Sequence, residues 1–231
     1  SLVNNEVKMC MSKAVERAIL NKVLPHYHCS LNNSTVSSLG NGLINSTFLV
    51  RSINASFVLQ KINKHVFPQP LEVVNNAELI NNHLLQKQAQ SQYQLTPMRQ
   101  LENSNKDVFS LVDNDYWRAI EFIPNCYTVE AVDTPDQAQQ VATAFAKFSH
   151  ALNDFPAEEL SVIIPDFHNL AHRLQQLEDA AQKNSRHRLD ECKELFNFCL
   201  AQHEFINNVA TLESSLPLRV THNDTKINNL L

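Results

Sequence analysis

The chain has 231 residues, and its 24 acidic against 19 basic side chains give a formal net charge of −5 with histidine neutral. A hydrophobic fraction of 43% with so small a charge excludes intrinsic disorder, and the acidic balance disfavours a nucleic-acid partner. No apolar run is long enough to span a membrane, so we expect no membrane partner. Five cysteines without CxxC spacing predict reduced thiols in a cytoplasmic protein.

The first half of the chain is predicted to form a small sheet with one helix inserted in it. Apolar residues at helical spacing predict a first helix over about 5–24, ended by Pro25, and a polar stretch follows to Ser38. Runs rich in β-branched and aromatic residues predict two hairpins, on either side of a second helix. The predicted ranges are strands 44–50 and 56–62, helix 71–88, and strands 108–112 and 116–123.

Beyond Pro124 the hydrophobic pattern becomes helical. We expect helices from Thr134 past Leu152, then over 167–183 and 190–212, followed by strand-like runs at 218–222 and from Ile227 onward. The sequence therefore predicts an α+β protein with a β-rich N-lobe (1–123) and a mostly helical C-lobe (124–231). Because the last run reads as a buried strand that has only begun, we expect the C-lobe to be incomplete.

The two glycines of the chain stand on either side of Asn41, as Gly40 and Gly42. Glycine is needed where the backbone takes a positive φ or closely approaches a ligand, and such a turn can direct N–H groups at phosphate oxygens. An ordinary hairpin turn is the alternative. The segment is neither a Rossmann fingerprint, because a strand follows it, nor a Walker A loop, because no Gly-Lys-Ser/Thr follows.

Lys61 ends the predicted strand 56–62, about twenty residues after the glycines. A lysine in that position can point back beneath the glycine turn and bind nucleotide phosphates. Solvent exposure is the alternative for a lone strand lysine.

The segment from His222 to Asn229 combines residue types that phosphoryl transfer requires. Asp224 and Asn229 are five residues apart, the spacing of the protein-kinase catalytic loop. A carboxylate can accept the proton of an attacking hydroxyl, an amide oxygen can hold Mg²⁺, and Lys226 can offset phosphoryl charge. A polar turn between strands is the alternative.

Taken in order, these segments resemble the aminoglycoside phosphotransferase superfamily, the small-molecule branch of the protein-kinase-like fold. Within it the chain is most similar to the group typified by N-acetylhexosamine 1-kinase. The segments that carry the resemblance are 40–47, 57–63 with 66–67, 116–118, 164–168 and 221–231.

The resemblance implies a two-lobed kinase-like fold that uses ATP and Mg²⁺. It implies that Gly40, Asn41 and Gly42 cover the ATP phosphates and that Lys61 binds the α- and β-phosphates. It further implies that Asp224 is the catalytic base, with Lys226 beside it, and that Asn229 is a Mg²⁺ ligand.

Three further assignments follow from the same resemblance. The segment 120–123 is similar to the hinge between kinase lobes, where the carbonyl of Glu121 and the N–H of Ile123 would bind adenine. The acidic partner of Lys61 is either Glu72 or Glu78, which lie on different sides of the second helix, and we favour Glu78. His168 is a candidate for the sugar pocket.

We therefore expect an ATP- and Mg²⁺-dependent kinase that phosphorylates a hydroxyl of a small polar metabolite, with an N-acetylhexosamine or related sugar as first choice. An aminoglycoside, choline or homoserine kinase is the close alternative. A non-catalytic kinase-like binding protein is the alternative from another class. In this fold the second metal-binding carboxylate lies on a strand after the catalytic loop, and the sequence does not include that strand. A plain helical interaction domain with a β cap is the third.

Overall fold

The computed structural model describes residues 12–27, 33–40, 44–53, 55–184 and 187–230. Six strands form one antiparallel sheet in the order β1-β2-β3-β6-β4, and β5 also pairs with β6. The strands are β1 (Ser34–Ser38), β2 (Ser46–Ser52), β3 (Ser56–Lys61), β4 (Gln100–Leu101), β5 (Ser110–Val112) and β6 (Asp115–Glu121).

Both predicted hairpins are confirmed. The strands β2 and β3 pair directly, and β5 and β6 join through Asp113 and Asn114, which both take positive φ. Asp and Asn tolerate that conformation better than other non-glycine residues, which is why they form this tight turn. Sequence analysis missed β1, because its Ser-Thr-Val-Ser-Ser sequence reads as a polar loop, and β4, because it has only two residues.

The described residues include six α-helices. The helix predicted over 71–88 is confirmed and begins with Pro70 in its first turn, and the next helix has the predicted N-cap, since Thr134 Oγ1 accepts from the Gln137 N–H at 3.2 Å. The helices are α1 (Lys13–Ala18), α2 (Pro70–Ala89), α3 (Pro135–Ala151), α4 (Leu170–Lys183), α5 (Lys193–Leu200) and α6 (His203–Ser215).

Three predicted elements need correction. The first helix is α-helical only over α1, after which the chain continues as a π-helix (Ile19–Val23) and a 3₁₀-helix (Leu24–Tyr27); the predicted residues 5–11 lie outside the described residues. The helix predicted over 190–212 is divided between α5 and α6 at residues 201–202. The segment 218–222 pairs with no strand among the described residues, and its Val220 packs instead against a core that includes residues of helices α2 and α3. The predicted strand from Ile227 onward begins as a 3₁₀ turn over Ile227–Asn229.

The N-terminal helical segment covers one face of the sheet. Because side chains alternate between faces along a strand, Phe57 and Leu59 of β3 point to the same side as Trp117 and Ala119 of β6. These side chains form a buried core with Ile19 and its neighbours from the N-terminal segment. The alternate positions of the strands therefore belong to the opposite face.

Helix α2 packs against that opposite face. The side chain of Gln100 in β4 donates to the Val74 carbonyl of α2 at 3.1 Å, and Val74 itself is fully buried. Further along, Leu84 of α2 joins a second core with Ala151, the last residue of α3, and with Leu152 and Val220. The helix α2 thus connects the sheet to the segment that precedes the predicted catalytic loop.

The described residues divide into two compact units. One comprises the residues up to Ile163 together with those from Arg219 onward, and the other comprises Ile164–Leu218, in which α4 packs against α6. The predicted boundary between lobes after residue 123 stays a prediction. Within the ranges that the structure describes, no helix has the length and apolar character needed to cross a membrane.

The core on the N-terminal face gives a stability prediction. Truncating fully buried Leu59 to alanine leaves a cavity between β2, β3 and β6, so Leu59→Ala should lower the free energy of unfolding by about 2–5 kcal/mol. Leu111→Ala in β5, where the side chain is half exposed, is the matched control and should change it by less than about 0.5 kcal/mol. Urea denaturation measures both, and equal losses would contradict this description of the core.

Candidate active site

The glycine turn joins β1 to β2. Gly40 has φ +69°, and the Leu39 N–H donates to the Thr47 carbonyl at 2.9 Å, which closes the connection. A Cβ built on Gly40 would meet nothing within 4 Å, so glycine is required here for its backbone conformation and not for space. Asn41 and Gly42 lie outside the described residues.

Two asparagines fasten the far side of the glycine turn to the end of β3. Asn45 Oδ1 accepts from the Asn63 N–H at 2.9 Å, and Asn63 Nδ2 donates to the Ile44 carbonyl at 3.1 Å. Because Asn63 follows Lys61 by two residues, these bonds connect residues 44 and 45 to the end of β3.

Lys61 lies on the face of the sheet that the N-terminal helical segment covers. It shares the side of Phe57 and Leu59, and its ammonium group donates to Asp115 Oδ2 at 2.7 Å. This bond is the main reason that the pKa of Asp115 is held below its usual value, and Lys64, at 3.5 Å, adds to the effect. Lys61 is thus engaged with a carboxylate of the β5–β6 hairpin.

The expected pair between Lys61 and Glu78 is not formed in this structure. Glu78 lies on the side of α2 that faces the sheet, as expected, but its carboxylate accepts from Gln100 Nε2 at 3.1 Å. Glu72, the alternative, bonds the Ser161 hydroxyl. The reason is geometric: Lys61 and α2 occupy opposite faces of the same sheet. The phosphate-binding role of Lys61 stays a prediction.

Sequence reasoning missed a polar network on the α2 face. Arg118 of β6 donates through Nε and Nη2 to Oε1 of Gln60 in β3, at 3.0 and 2.8 Å. Arg118 Nη1 donates to Gln100 Oε1 at 3.3 Å, and Gln60 Nε2 donates to Thr47 Oγ1 at 3.1 Å. The available signal was strand alternation, which separates Gln60 and Arg118 from the apolar positions beside them.

The guanidinium of Arg118 lies in a poorly solvated position. Burial lowers the pKa of Arg118 to about 10, so the group stays protonated at neutral pH. Its partners are neutral amide oxygens. Among the ion pairs of the described residues, none joins Arg118 to a carboxylate.

The predicted catalytic residues lie together in the segment after Val220. Asn229 Nδ2 donates to Asp224 Oδ2 and to the Asp224 carbonyl, both at 2.8 Å, and Lys226 Nζ lies 3.6 Å from Asp224 Oδ2. The 3₁₀ turn at Ile227–Asn229 folds the chain back so that residues five apart can meet. The donated amide bond, more than the neighbouring cations, keeps the pKa of Asp224 below its usual value.

Helix α3 supports this loop from one side. The ring of His222 packs edge-on against Phe145 and Phe148, with ring centroids 5.2 and 5.5 Å away. Phe148 also packs against the core that includes Leu84 of α2. Contacts through α3 therefore link the position of Asp224 to α2.

The remaining predicted residues have separate surroundings. The Glu121 N–H donates to the Arg99 carbonyl at 2.9 Å, and the Ile123 carbonyl accepts from Cys126 Sγ at 2.9 Å; these are not the groups that were expected to bind adenine. His168 lies in the second unit, with its ring against Phe167. The adenine contacts and the substrate role of His168 stay predictions.

Residues 35–231 match the family model APH, described as the phosphotransferase enzyme family. The match extends over most of the chain and includes the glycine turn, the polar network and the Asp224 loop. The chain belongs to this family.

One solved phosphotransferase structure shares the fold of this chain. A spectinomycin phosphotransferase in complex with ADP and spectinomycin superposes with a TM-score of 0.55 at 12% identity, covering 96% of this chain and 65% of that one. Two others match at lower scores: an aminoglycoside phosphotransferase from Alicyclobacillus acidocaldarius subsp. acidocaldarius DSM 446 (0.45, 11% identity, 88% and 52% covered) and a microcompartment-associated aminopropanol kinase (0.42, 18%, 71% and 55%).

The expected two-lobed, protein-kinase-like α+β fold is confirmed. The chain spans less than two thirds of the length of each of these structures.

The Asp224–Asn229 contact gives a pH prediction. Because the amide of Asn229 stabilises the ionised carboxylate, Asn229→Ala should raise the pKa of Asp224 toward its usual value. Carboxyl-detected NMR titration measures that pKa. Asn228→Ala is the matched control, since the Asn228 side chain donates to Glu130 instead. An unchanged Asp224 pKa in Asn229→Ala would show that the contact is absent in solution.

Proposed function

We propose that this protein is an ATP-dependent phosphotransferase that phosphorylates a hydroxyl group of a small polar metabolite. The observation that supports this most strongly is the local arrangement of Asp224, whose carboxylate is held by Asn229 and flanked by Lys226. The family match adds to it, because it covers that loop.

Asp224 supplies the base of the proposed reaction. It accepts the proton of the substrate hydroxyl while the hydroxyl oxygen bonds to the γ-phosphorus of ATP and the bond from that phosphorus to the ADP oxygen breaks. A carboxylate with a lowered pKa is ionised throughout the neutral range, so its main task is to orient the nucleophile. Lys226 adds positive charge next to the phosphoryl group that is transferred.

The donor groups in the loop are compatible with Mg²⁺. Asn229 uses its amide N–H to hold Asp224, which leaves its carbonyl oxygen Oδ1 as the atom that would bind the metal, and Mg²⁺ prefers oxygen ligands. Bound Mg²⁺ would neutralise charge on the phosphates. The positive φ of Gly40 fits a turn whose backbone N–H groups meet phosphate, and the proposal includes the phosphate-binding role expected of Asn41 and Gly42.

For the acceptor we propose an N-acetylhexosamine or a related sugar. The support comes from the sequence, in the segments around Gln60 and Trp117 that resemble sugar kinases of this fold. An aminoglycoside, choline or homoserine is the alternative. Aminoglycosides and choline are cationic and need an acidic pocket, whereas N-acetylhexosamines are neutral. The charge of the accepted substrate therefore distinguishes a sugar kinase from an aminoglycoside or choline kinase. His168 is the proposed sugar contact, and a cytoplasmic location goes with these metabolites.

Replacing the base tests the proposed activity. Asp224→Asn should lower kcat by about 10²- to 10⁴-fold, because the amide cannot accept the proton, while the affinity for Mg²⁺-ATP stays within about twofold. Asp190→Asn, an exposed carboxylate of the second unit, is the matched control and should leave kcat unchanged. Coupled detection of ADP measures kcat, and calorimetry measures binding.

The acceptor panel for this assay contains N-acetylhexosamines, an aminoglycoside, choline and homoserine. Faster ADP release with the N-acetylhexosamines supports the sugar proposal, and release with a cationic acceptor alone would replace it. Mg²⁺-ATP binding without turnover of any acceptor, and unaffected by Asp224→Asn, would favour a non-catalytic kinase-like binding protein.

A further inference from the structure

Arg118 is a partly buried cation whose hydrogen-bond partners are neutral. Its three contacts reach the amide oxygens of Gln60 and Gln100, and within the described parts of the chain no ion pair joins it to a carboxylate. A poorly solvated charge without a counter-charge is costly, and an anion at this position would offset the cost. The guanidinium has five N–H donors, of which these contacts use three.

The guanidinium is also held in one orientation. Gln60 accepts from both Nε and Nη2, which fixes the plane of the group, and Gln60 is itself held by Thr47. Thr47 is the second residue of β2, and its carbonyl closes the glycine turn through the Leu39 N–H. A continuous set of hydrogen bonds therefore runs from the glycine turn to Arg118. A fixed guanidinium fork matches phosphate oxygens well.

The position of Arg118 agrees with the rest of the candidate site. It points to the face of the sheet against which α2 packs, and α2 is joined through α3 to the segment that carries Asp224. Lys61 points to the opposite face, where Asp115 occupies its ammonium group and Asp113 stands two residues away. Lys22 pairs with Asp113, and Lys64 also pairs with Asp115, so the lysines of that face are engaged with carboxylates of the protein itself.

We propose that Arg118 binds the polyphosphate of the nucleotide, in the role that the sequence assigned to Lys61, and that Gln60 positions it. This inference rests on the proposed function. The cation thus comes from β6, adjacent to β3, and reaches the phosphates from the α2 face. Glu78, linked to Arg118 through Gln100, completes the network without contacting the nucleotide.

Nucleotide binding by the protein tests the inference, with Mg²⁺-ATP and adenosine as probes in calorimetry. Arg118→Gln should weaken Mg²⁺-ATP binding by at least about tenfold, the effect of losing a charge-assisted bond, and leave adenosine binding unchanged. Lys61→Gln should keep Mg²⁺-ATP affinity within about threefold. Arg51→Gln, an exposed arginine of β2, is the matched control.

Two features separate phosphate binding from a structural role. If Arg118 served only to hold the sheet, Arg118→Gln would lower the melting temperature of the ligand-free protein and weaken both probes alike. Should Arg118→Gln fail to fold, Arg118→Lys keeps the charge but loses the fork, and it should still weaken Mg²⁺-ATP selectively. Affinity for Mg²⁺-ATP equal to that of the wild type in either folded variant, or a selective loss in Lys61→Gln, would overturn the inference.

The proposed function can fail separately. If the wild type binds Mg²⁺-ATP and Arg118→Gln binds it equally well, only the role of Arg118 is wrong. If the wild type binds no Mg²⁺-ATP, the phosphotransferase proposal falls and the role of Arg118 falls with it.

Discussion

The alternation of side chains along β3 and β6 determines which groups can act together in this protein. Every second side chain, such as Leu59 and Trp117, contributes to the core beneath the N-terminal helical segment, and the side chains between them face α2. A shift of one residue in register would exchange the two sets. The placement of Gln60 and Arg118 on one face, and of Lys61 on the other, follows from this constraint.

Helix α2 packs on the face of the sheet that carries Gln60 and Arg118 and also reaches the segment before Asp224. Near its start it meets the sheet through Val74 and Glu78, and further along it joins the core that contains Leu152 and Val220. One rigid element therefore contacts both the strands after the glycine turn and the segment before Asp224. Such an element allows packing, rather than a flexible loop, to set the spacing between the proposed nucleotide-binding surface and the carboxylate proposed as the base.

Much of this organisation could be predicted from the sequence. Runs rich in β-branched and aromatic residues predicted both hairpins, and Pro70 and Thr134 marked helix starts. The spacing of Asp224 and Asn229 matched a kinase catalytic loop, and the structure shows that the two side chains are in contact. These signals are local, so neighbouring residues are enough to produce them.

The rest depended on contacts between distant residues. The strand β1 is polar and forms only because β2 offers its edge, and the helix predicted over 190–212 divides at residues that continue the helical pattern. The role of Lys61 was inferred from its position in the chain. The face of the sheet to which Lys61 points is set by the alternation of side chains along β3, and its partner is Asp115, which lies 54 residues later in the chain. Strand alternation set Arg118 apart from its apolar neighbours but predicted none of its contacts, because these form only when β3, β4 and β6 assemble.

A crystal structure of the protein with Mg²⁺ and a non-hydrolysable ATP analogue would show which face of the sheet holds the phosphates. We expect phosphate oxygens within hydrogen-bond distance of the Arg118 guanidinium, on the α2 face, with Lys61 still bonded to Asp115. Phosphates bound by Lys61 beneath the N-terminal helical segment, with Arg118 contacting only Gln60 and Gln100, would contradict it.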